Sequence, residues 1–187
     1  MTSEQAIKRL ADGNKRYAAG ASHSGVTEEL RANLAKGQSP YAVIVGCSDS
    51  RVPVEIVFDA GPGELFVIRT AGNVAGPLEI GSLEYAVMHL KSPLVVVLGH
   101  QNCGAVRAAV DGGSHSPALQ AVIQEITPCV PREKTGNVYE VCENENIKHT
   151  LAKIAADPIV SKAVSEGTLR LAAAKYSLET GQVSFFE

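Results

Sequence analysis

The chain has 187 residues, of which 45% are hydrophobic and 20% charged, and its formal net charge at pH 7 is -3. This composition excludes a disordered chain, and the length fits one domain with its own core. The small net charge, without a Lys/Arg run, argues against a nucleic-acid partner, and the lack of a run of ~18 apolar residues argues against a membrane partner.

The N-terminal segment alternates charged and apolar residues and lacks the basic-then-apolar layout of a secretory signal. We therefore expect the protein in the cytoplasm, where cysteines stay reduced. The cysteines of a cytosolic enzyme are more often metal ligands, nucleophiles or core residues than members of disulfide bonds. The chain has four: Cys47, Cys103, Cys129 and Cys142.

Two helices are predicted at the start of the chain. Residues 3–19 carry apolar residues at helical spacing, with Ser3 as the expected N-cap. Residues 27–36 predict a second helix that is capped by Thr27 and closed by Gly37. We expect one domain over 1–187, with a helical arm at 1–36 and an α/β core at 41–187.

Four apolar runs predict buried strands, at residues 41–46, 65–68, 94–98 and 169–174. Helical patterns lie between them, at residues 78–90, 103–110 and 143–156. The C-terminal YSLETGQVSFFE predicts a hairpin with a short last strand. The predicted fold is α/β: a mainly parallel central sheet of four strands with an antiparallel C-terminal edge strand, flanked by helices. Residues 111–138 show the least regular pattern.

Two predicted strands end in reactive side chains. The first is followed by GCSDSR at 46–51 and the third by GHQNCG at 99–104. Sites in open parallel sheets form beyond the carboxyl ends of strands, so neighbouring strands would bring Cys47, His100 and Cys103 together. Two thiolates and an imidazole suit zinc, and three protein ligands leave a fourth position open, as in catalytic sites.

Asp49 lies two positions after Cys47, and Arg51 two positions further on. Arg51 can pair with the Asp49 carboxylate through two hydrogen bonds and keep it ionised. Asp49 then has two possible roles. It either orients a water or hydroxide on the metal, or coordinates the metal itself as a fourth ligand and closes the site. Zinc lowers the pKa of a bound water toward ~7 and so provides a nucleophile at neutral pH.

Each motif also has a simpler interpretation. His-x-x-Cys is common, Cys47 alone fits a small buried residue, and Cys-x-Asp-x-Arg fits a loop ion pair. Both motifs directly follow apolar strands, which favours the metal site. A structural zinc needs a fourth Cys or His, but Cys129 and Cys142 have no partner at short ligand spacing. We interpret these two as core or loop residues.

The paired motifs resemble those of the β-class carbonic anhydrases, and the resemblance covers nearly the whole chain. It includes FDAGPGELFVIRTAGN at 58–73 and VVVLGHQNCGAV at 95–106. The resemblance implies reversible hydration of carbon dioxide to bicarbonate and a proton, by attack of zinc-bound hydroxide, with Zn²⁺ as cofactor. Cys47, His100 and Cys103 match the family's zinc ligands. Asp49 and Arg51 match its catalytic carboxylate–arginine pair.

The resemblance also implies substrate-binding residues and an oligomer. The Gly104 N–H matches a group that holds bicarbonate, and Gln38, Phe66 and Tyr85 match residues that line the substrate pocket. In the family these three can come from the neighbouring subunit, so we expect a homodimer or a dimer of dimers whose N-terminal helix embraces the partner. Their simpler interpretations are a turn residue for Gln38 and core residues for Phe66 and Tyr85.

Two rival functions remain at this point. One is a carbonyl sulfide or carbon disulfide hydrolase with the same zinc ligands. The other is a zinc-containing binding protein, against which the Asp49–Arg51 pair argues, because a structural site needs no oriented acceptor.

Some family members also have an inhibitory bicarbonate pocket marked by a tryptophan. This chain has Ile44 at the position of that tryptophan, although Gly46 and Arg69 match other residues of the pocket. We therefore expect no such inhibition. The remaining histidines are candidate proton relays: His23, His89, His115 and His149.

Overall fold

A computed structural model describes residues 1–21, 25–133 and 135–186. The helices are α1 (Ser3–Ala18), α2 (Glu28–Leu34), α3 (Val54–Val57), α4 (Pro77–Met88), α5 (Gly104–Asp111), α6 (Pro117–Ile126), α7 (Val138–Ala155) and α8 (Pro158–Ser165). The strands are β1 (Ala42–Cys47), β2 (Leu65–Thr70), β3 (Leu94–His100), β4 (Arg170–Tyr176) and β5 (Val183–Phe185). Among the described helices, none combines the length and the apolar character of a membrane span.

The five strands form one sheet in the order β2-β1-β3-β4-β5. The first four are parallel, and β5 pairs antiparallel with β4, so the predicted fold class and the C-terminal hairpin are confirmed. Every residue of β1 and β3 is buried, as expected for central strands that are covered on both faces. Because β1 and β3 are neighbours, Cys47 and His100 end at the same edge of the sheet.

Alternate residues of the central strands face two apolar layers. On one face, Ile44 packs in a cluster with Leu10 of α1 and Phe58. On the other face, Val45 packs in a cluster with Leu83 of α4 and Ile154 of α7. This alternation follows from the two-residue period of a strand. The division into an arm at 1–36 and a core at 41–187 stays a prediction, although α1 buries Ala6 and Leu10 against the sheet.

Three helices were not predicted: α3, α6 and α8. The prediction of irregular chain at 111–138 is wrong for α6, which begins at Pro117 after the N-cap Ser116. Helix α7 begins at Val138, ahead of the predicted start at 143, because Asn137 caps it. The N-cap of α1 is Thr2 rather than Ser3, since the Thr2 side chain accepts from the Gln5 N–H in a capping box.

Candidate metal centre

The three predicted metal ligands meet at the carboxyl edge of the sheet. Cys47 ends β1, His100 ends β3, and Cys103 immediately precedes α5. One ligand atom from each residue lies within 4.8 Å of the others, and all three residues are buried. The sheet order therefore brings together the three residues that the sequence motifs indicated as ligands.

The His100 ring is oriented for a ligand role. Its Nδ1 lies 2.8 Å from the carbonyl oxygen of Gln101, a contact that fixes the ring direction. Its Nε2 is buried and has no hydrogen-bond partner within the described part of the chain. A buried nitrogen without a partner is costly in free energy, so a metal ion at this position would satisfy it. The residues present thus fit Zn²⁺.

The two thiols differ in acidity because they interact with each other. A hydrogen bond from Cys103 lowers the pKa of Cys47, against the opposing effect of burial. The same hydrogen bond, together with burial, raises the pKa of Cys103. One thiolate forms readily here, and a second requires a compensating positive charge. A divalent cation supplies that charge, which is the second reason that the site suits a metal.

Asp49 lies beside these ligands and is held by Arg51. Arg51 Nε donates to Oδ1 at 2.9 Å and its Nη2 donates to Oδ2 at 2.7 Å, while the Arg51 backbone N–H also donates to Oδ1. The hydrogen bonds from Arg51 lower the pKa of Asp49 to about 2 despite partial burial. Asp49 Oδ2 lies 3.9 Å from His100 Nε2, so an ionised acceptor faces the ligand cluster.

The loop after β1 is held by Arg69, near the end of β2, and by Gly72, just after β2. Arg69 donates from Nε to the Cys47 carbonyl at 2.8 Å and from Nη2 to the Asp49 carbonyl at 2.7 Å. The Gly72 N–H donates to Cys47 Sγ at 3.3 Å. The sequence indicated Arg69 only as part of a bicarbonate pocket, and Gly72 was not predicted as a site residue. A signal existed, because Arg69 and Gly72 lie at the end of a strand that reaches the same sheet edge as Cys47.

The predicted substrate-binding residues separate into two places. Gly104 begins α5 directly after Cys103, and its N–H belongs to the first helical turn, where backbone donors lack intrahelical acceptors. Phe66 pairs in register with Val43, four residues before Cys47, which puts it ~13 Å along the strand from the ligand at ~3.3 Å per residue. The Tyr85 ring lies 6.3 Å from the Phe66 ring, and Gln38 precedes β1. These three residues lie far from the ligands of their own chain.

The other described cysteines and histidines do not belong to the ligand cluster. Cys129 and Cys142 are buried in an apolar cluster, and burial raises their pKa to about 11 and about 12, as expected of core residues. Of the candidate relays, His23 lies outside the described residues. His89 stacks against Tyr85 with the ring centroids 5.1 Å apart, at the opposite end of the sheet from Cys47. The histidines other than His100 remain candidates for proton transfer.

Comparison with known proteins agrees with this geometry. Residues 42–183 match the family described as carbonic anhydrase. The chain is 40% identical over 185 residues to carbonic anhydrase 2 of Mycobacterium tuberculosis, covering 95% of this chain and 89% of that protein. It is 39% identical over 186 residues to a carbonic anhydrase of Mycolicibacterium smegmatis, covering 95% and 90%. The structure of the β-carbonic anhydrase CafA of Aspergillus fumigatus matches with a TM-score of 0.78 at 28% identity, covering 97% and 90%.

The chain therefore belongs to the β-carbonic anhydrase family. It is an enzyme of the carbonic anhydrase class, and its Cys/His/Cys cluster is a group able to hold a metal ion.

Proposed function

We propose that this protein catalyses the reversible hydration of carbon dioxide to bicarbonate and a proton, with Zn²⁺ held by Cys47, His100 and Cys103. The observation that carries the proposal is the convergence of three ligand atoms within 4.8 Å beside an aspartate that arginine keeps ionised. Membership of the family supports the same reaction. When bound, zinc supplies a Lewis acid that lowers the pKa of water at its open position toward ~7.

Asp49 orients the attacking oxygen. An ionised carboxylate only accepts hydrogen bonds, so Asp49 accepts one from the O–H of the nucleophile. An oxygen lone pair of the nucleophile is then directed at the carbon of the substrate. Arg51 maintains both the charge and the orientation of Asp49 through its two side-chain hydrogen bonds. The alternative role of Asp49, as a fourth zinc ligand that closes the site, would compete with these hydrogen bonds to Arg51. The Gly104 N–H, at the start of α5, holds the bicarbonate oxygen.

The active form is a homodimer or a dimer of dimers in which Gln38, Phe66 and Tyr85 complete the pocket of the neighbouring subunit. Their separation from the ligands of their own chain supports this arrangement. Helix α4 also presents an exposed apolar face that includes Leu78, 81% exposed, and Tyr85, 48% exposed. Strand β2, next to that helix, is the outermost strand on its side of the described sheet. An apolar helix face beside an unpaired strand edge suits an interface.

The proposed compartment is the cytoplasm. Reducing conditions there keep cysteines as thiols, and the proposed chemistry requires two cysteines as metal ligands. The four cysteines are all free in the structure.

Stopped-flow measurement of carbon dioxide hydration, with zinc quantified on the same sample, tests the proposed function. We expect activity in proportion to zinc content, loss of activity on chelation, and recovery when Zn²⁺ is added back. Zinc-replete protein that does not accelerate hydration above the buffer rate would refute it. Carbonyl sulfide and carbon disulfide are assayed in parallel, and turnover of these without carbon dioxide hydration would establish the alternative hydrolase.

A further inference from the structure

Helix α7 contacts the backbone beside His100 and Cys103 directly, and it reaches Cys47 through Gly72. Glu143 and Asn146 lie three positions apart on one face of this helix and are only 6% and 1% exposed. Ile147, on the adjoining position, packs against Gly99, the residue before His100. A Cβ at Gly99 would overlap the Ile147 side chain, so glycine permits this close approach of helix and strand. The same helix therefore packs against the strand that carries His100.

Asn146 acts on the Cys47 side. Its Nδ2 donates to the Gly72 carbonyl at 2.7 Å, while the Gly72 N–H donates to Cys47 Sγ at 3.3 Å. Gly72 has a φ of 73°, and a Cβ there would come within 2.7 Å of the Ile126 Cδ1 atom. A residue with a side chain would be strained at this φ, and Asn146 restrains Gly72 through its carbonyl group. Asn146 therefore restrains the residue whose N–H meets the Cys47 sulfur.

Glu143 acts on the Cys103 side. Its Oε1 accepts a hydrogen bond from the Cys103 N–H at 3.4 Å, and its Oε2 lies 2.8 Å from Lys175 Nζ. Lys175 is on β4, paired in register with Gly99, and it also donates to Asn144 Oδ1 at 3.0 Å. A buried ion pair of this kind holds a carboxylate in one place, since separating the charges in the protein interior is costly. Glu143 is therefore a fixed acceptor beside the Cys103 backbone.

We propose that Glu143 and Asn146 are positioning residues that align the Cys103 and Cys47 sulfurs for the metal. The inference rests on the proposed zinc site. Both side chains act only through backbone groups, so replacing them leaves the ligand set complete but poorly aligned. Loss of such supporting partners typically lowers metal affinity or activity by ~10–100-fold.

The test uses variants with matched packing. Asn146→Leu keeps the approximate volume and removes the donor to Gly72. The double variant Glu143→Met/Lys175→Met removes the acceptor without leaving a buried unpaired charge. A second double variant, Glu143→Gln/Lys175→Met, restores an acceptor for the Cys103 N–H. Thr150→Val is the control, because Thr150 lies on the same helix and is 2% exposed.

Two readouts are measured on the whole protein: zinc affinity by chelator competition, and the visible spectrum with Co²⁺, whose thiolate charge-transfer and d–d bands report ligand geometry. We expect Asn146→Leu and Glu143→Met/Lys175→Met to bind zinc ~10–100-fold more weakly and to shift the cobalt bands. Glu143→Gln/Lys175→Met should recover most of the affinity. Thr150→Val should match the wild type in both readouts, even if it unfolds at a lower temperature.

Wild-type affinity and unchanged cobalt bands in both damaging variants would overturn the positioning role. The positioning role would also be overturned if the damaging variants and Thr150→Val lost zinc affinity to the same extent while the cobalt bands stayed unchanged. The loss would then come from reduced stability alone. Asn146→Ala replaces Asn146→Leu if the latter does not fold, as judged by circular dichroism of the metal-free protein. A wild-type protein that binds neither metal would overturn the proposed zinc site, and the positioning role with it.

Discussion

Arg51 Nη2 donates to the carbonyl oxygen of Asn102 at 3.1 Å. The same nitrogen donates to Asp49 Oδ2, so a single guanidinium connects the loop after β1 with the loop that carries Cys103. The position of the Asp49 carboxylate is therefore coupled to the arrangement of the ligands. This contact fits the proposed role of Asp49, whose carboxylate must keep a fixed position relative to the metal.

Replacement of Asp49 should separate catalysis from metal binding. We expect Asp49→Ala to retain zinc, because Cys47, His100 and Cys103 remain, and to lose turnover by roughly 10²–10⁴-fold, the range for a positioned acid–base group. Stopped-flow hydration and zinc content are measured on the same preparation. Ser50→Ala, at the exposed residue between Asp49 and Arg51, is the control and should keep both properties. Wild-type turnover in Asp49→Ala would show that the carboxylate has no catalytic role.

Replacement of one thiol ligand should instead remove the metal. Cys103→Ser leaves two strong ligands, and a serine oxygen is a poor substitute for a thiolate, so we expect purified protein to carry little zinc. Cys129→Ser is the matched control, since Cys129 is also buried but is absent from the ligand cluster. Metal content is read by elemental mass spectrometry. A full zinc complement in Cys103→Ser would contradict the proposed ligand set.

The buried thiol of Cys142 should make stability depend on alkaline pH. Burial raises its pKa to about 12, whereas an unfolded cysteine titrates near ~8.5. The folded state therefore keeps a proton that the unfolded state loses between these values, so the free energy of unfolding should fall as pH rises through this window. Urea unfolding at pH 7.5 and at higher pH measures the slope. Cys142→Ala should show a shallower slope than the wild type, and an identical slope would exclude this thiol as the cause.

Mixed dimers should reveal which subunit supplies Gln38. If Gln38 completes the partner's pocket, a dimer of one Asp49→Ala chain and one Gln38→Ala chain contains one doubly altered site and one intact site. Equal mixing would make about one quarter of all sites intact, because half the dimers are mixed and half of their sites are complete. Activity is compared before and after the two inactive proteins are unfolded and refolded together. Activity no higher than that of the separate variants would place Gln38 in its own chain's site, or in none.

The metal-ligand motifs were predictable because their chemistry is local. Gly46 to Arg51 and Gly99 to Gly104 each join a buried apolar run to polar side chains, and the Asp49–Arg51 pair closes within three residues. The strands were likewise predictable from continuous apolar runs such as Val43 to Val45, which suit a sheet covered on both faces. Helix α6 was missed because its start at Ser116-Pro117 follows the glycine-rich segment DGGSH, a pattern typical of a loop.

Only the tertiary structure decided which distant residues act together. The sequence identified Cys47 and His100 as candidate ligands, but their meeting required β1 and β3 to be neighbours while β2 lies outside them. It also gave no sign that Glu143 and Asn146 support the ligand loops, because a polar residue in a helix reveals its partners only when the helix is packed. The ligand side chains lie within short segments of the sequence. Their alignment depends on contacts between elements that are distant in the sequence, such as the 74 residues between Asn146 and Gly72.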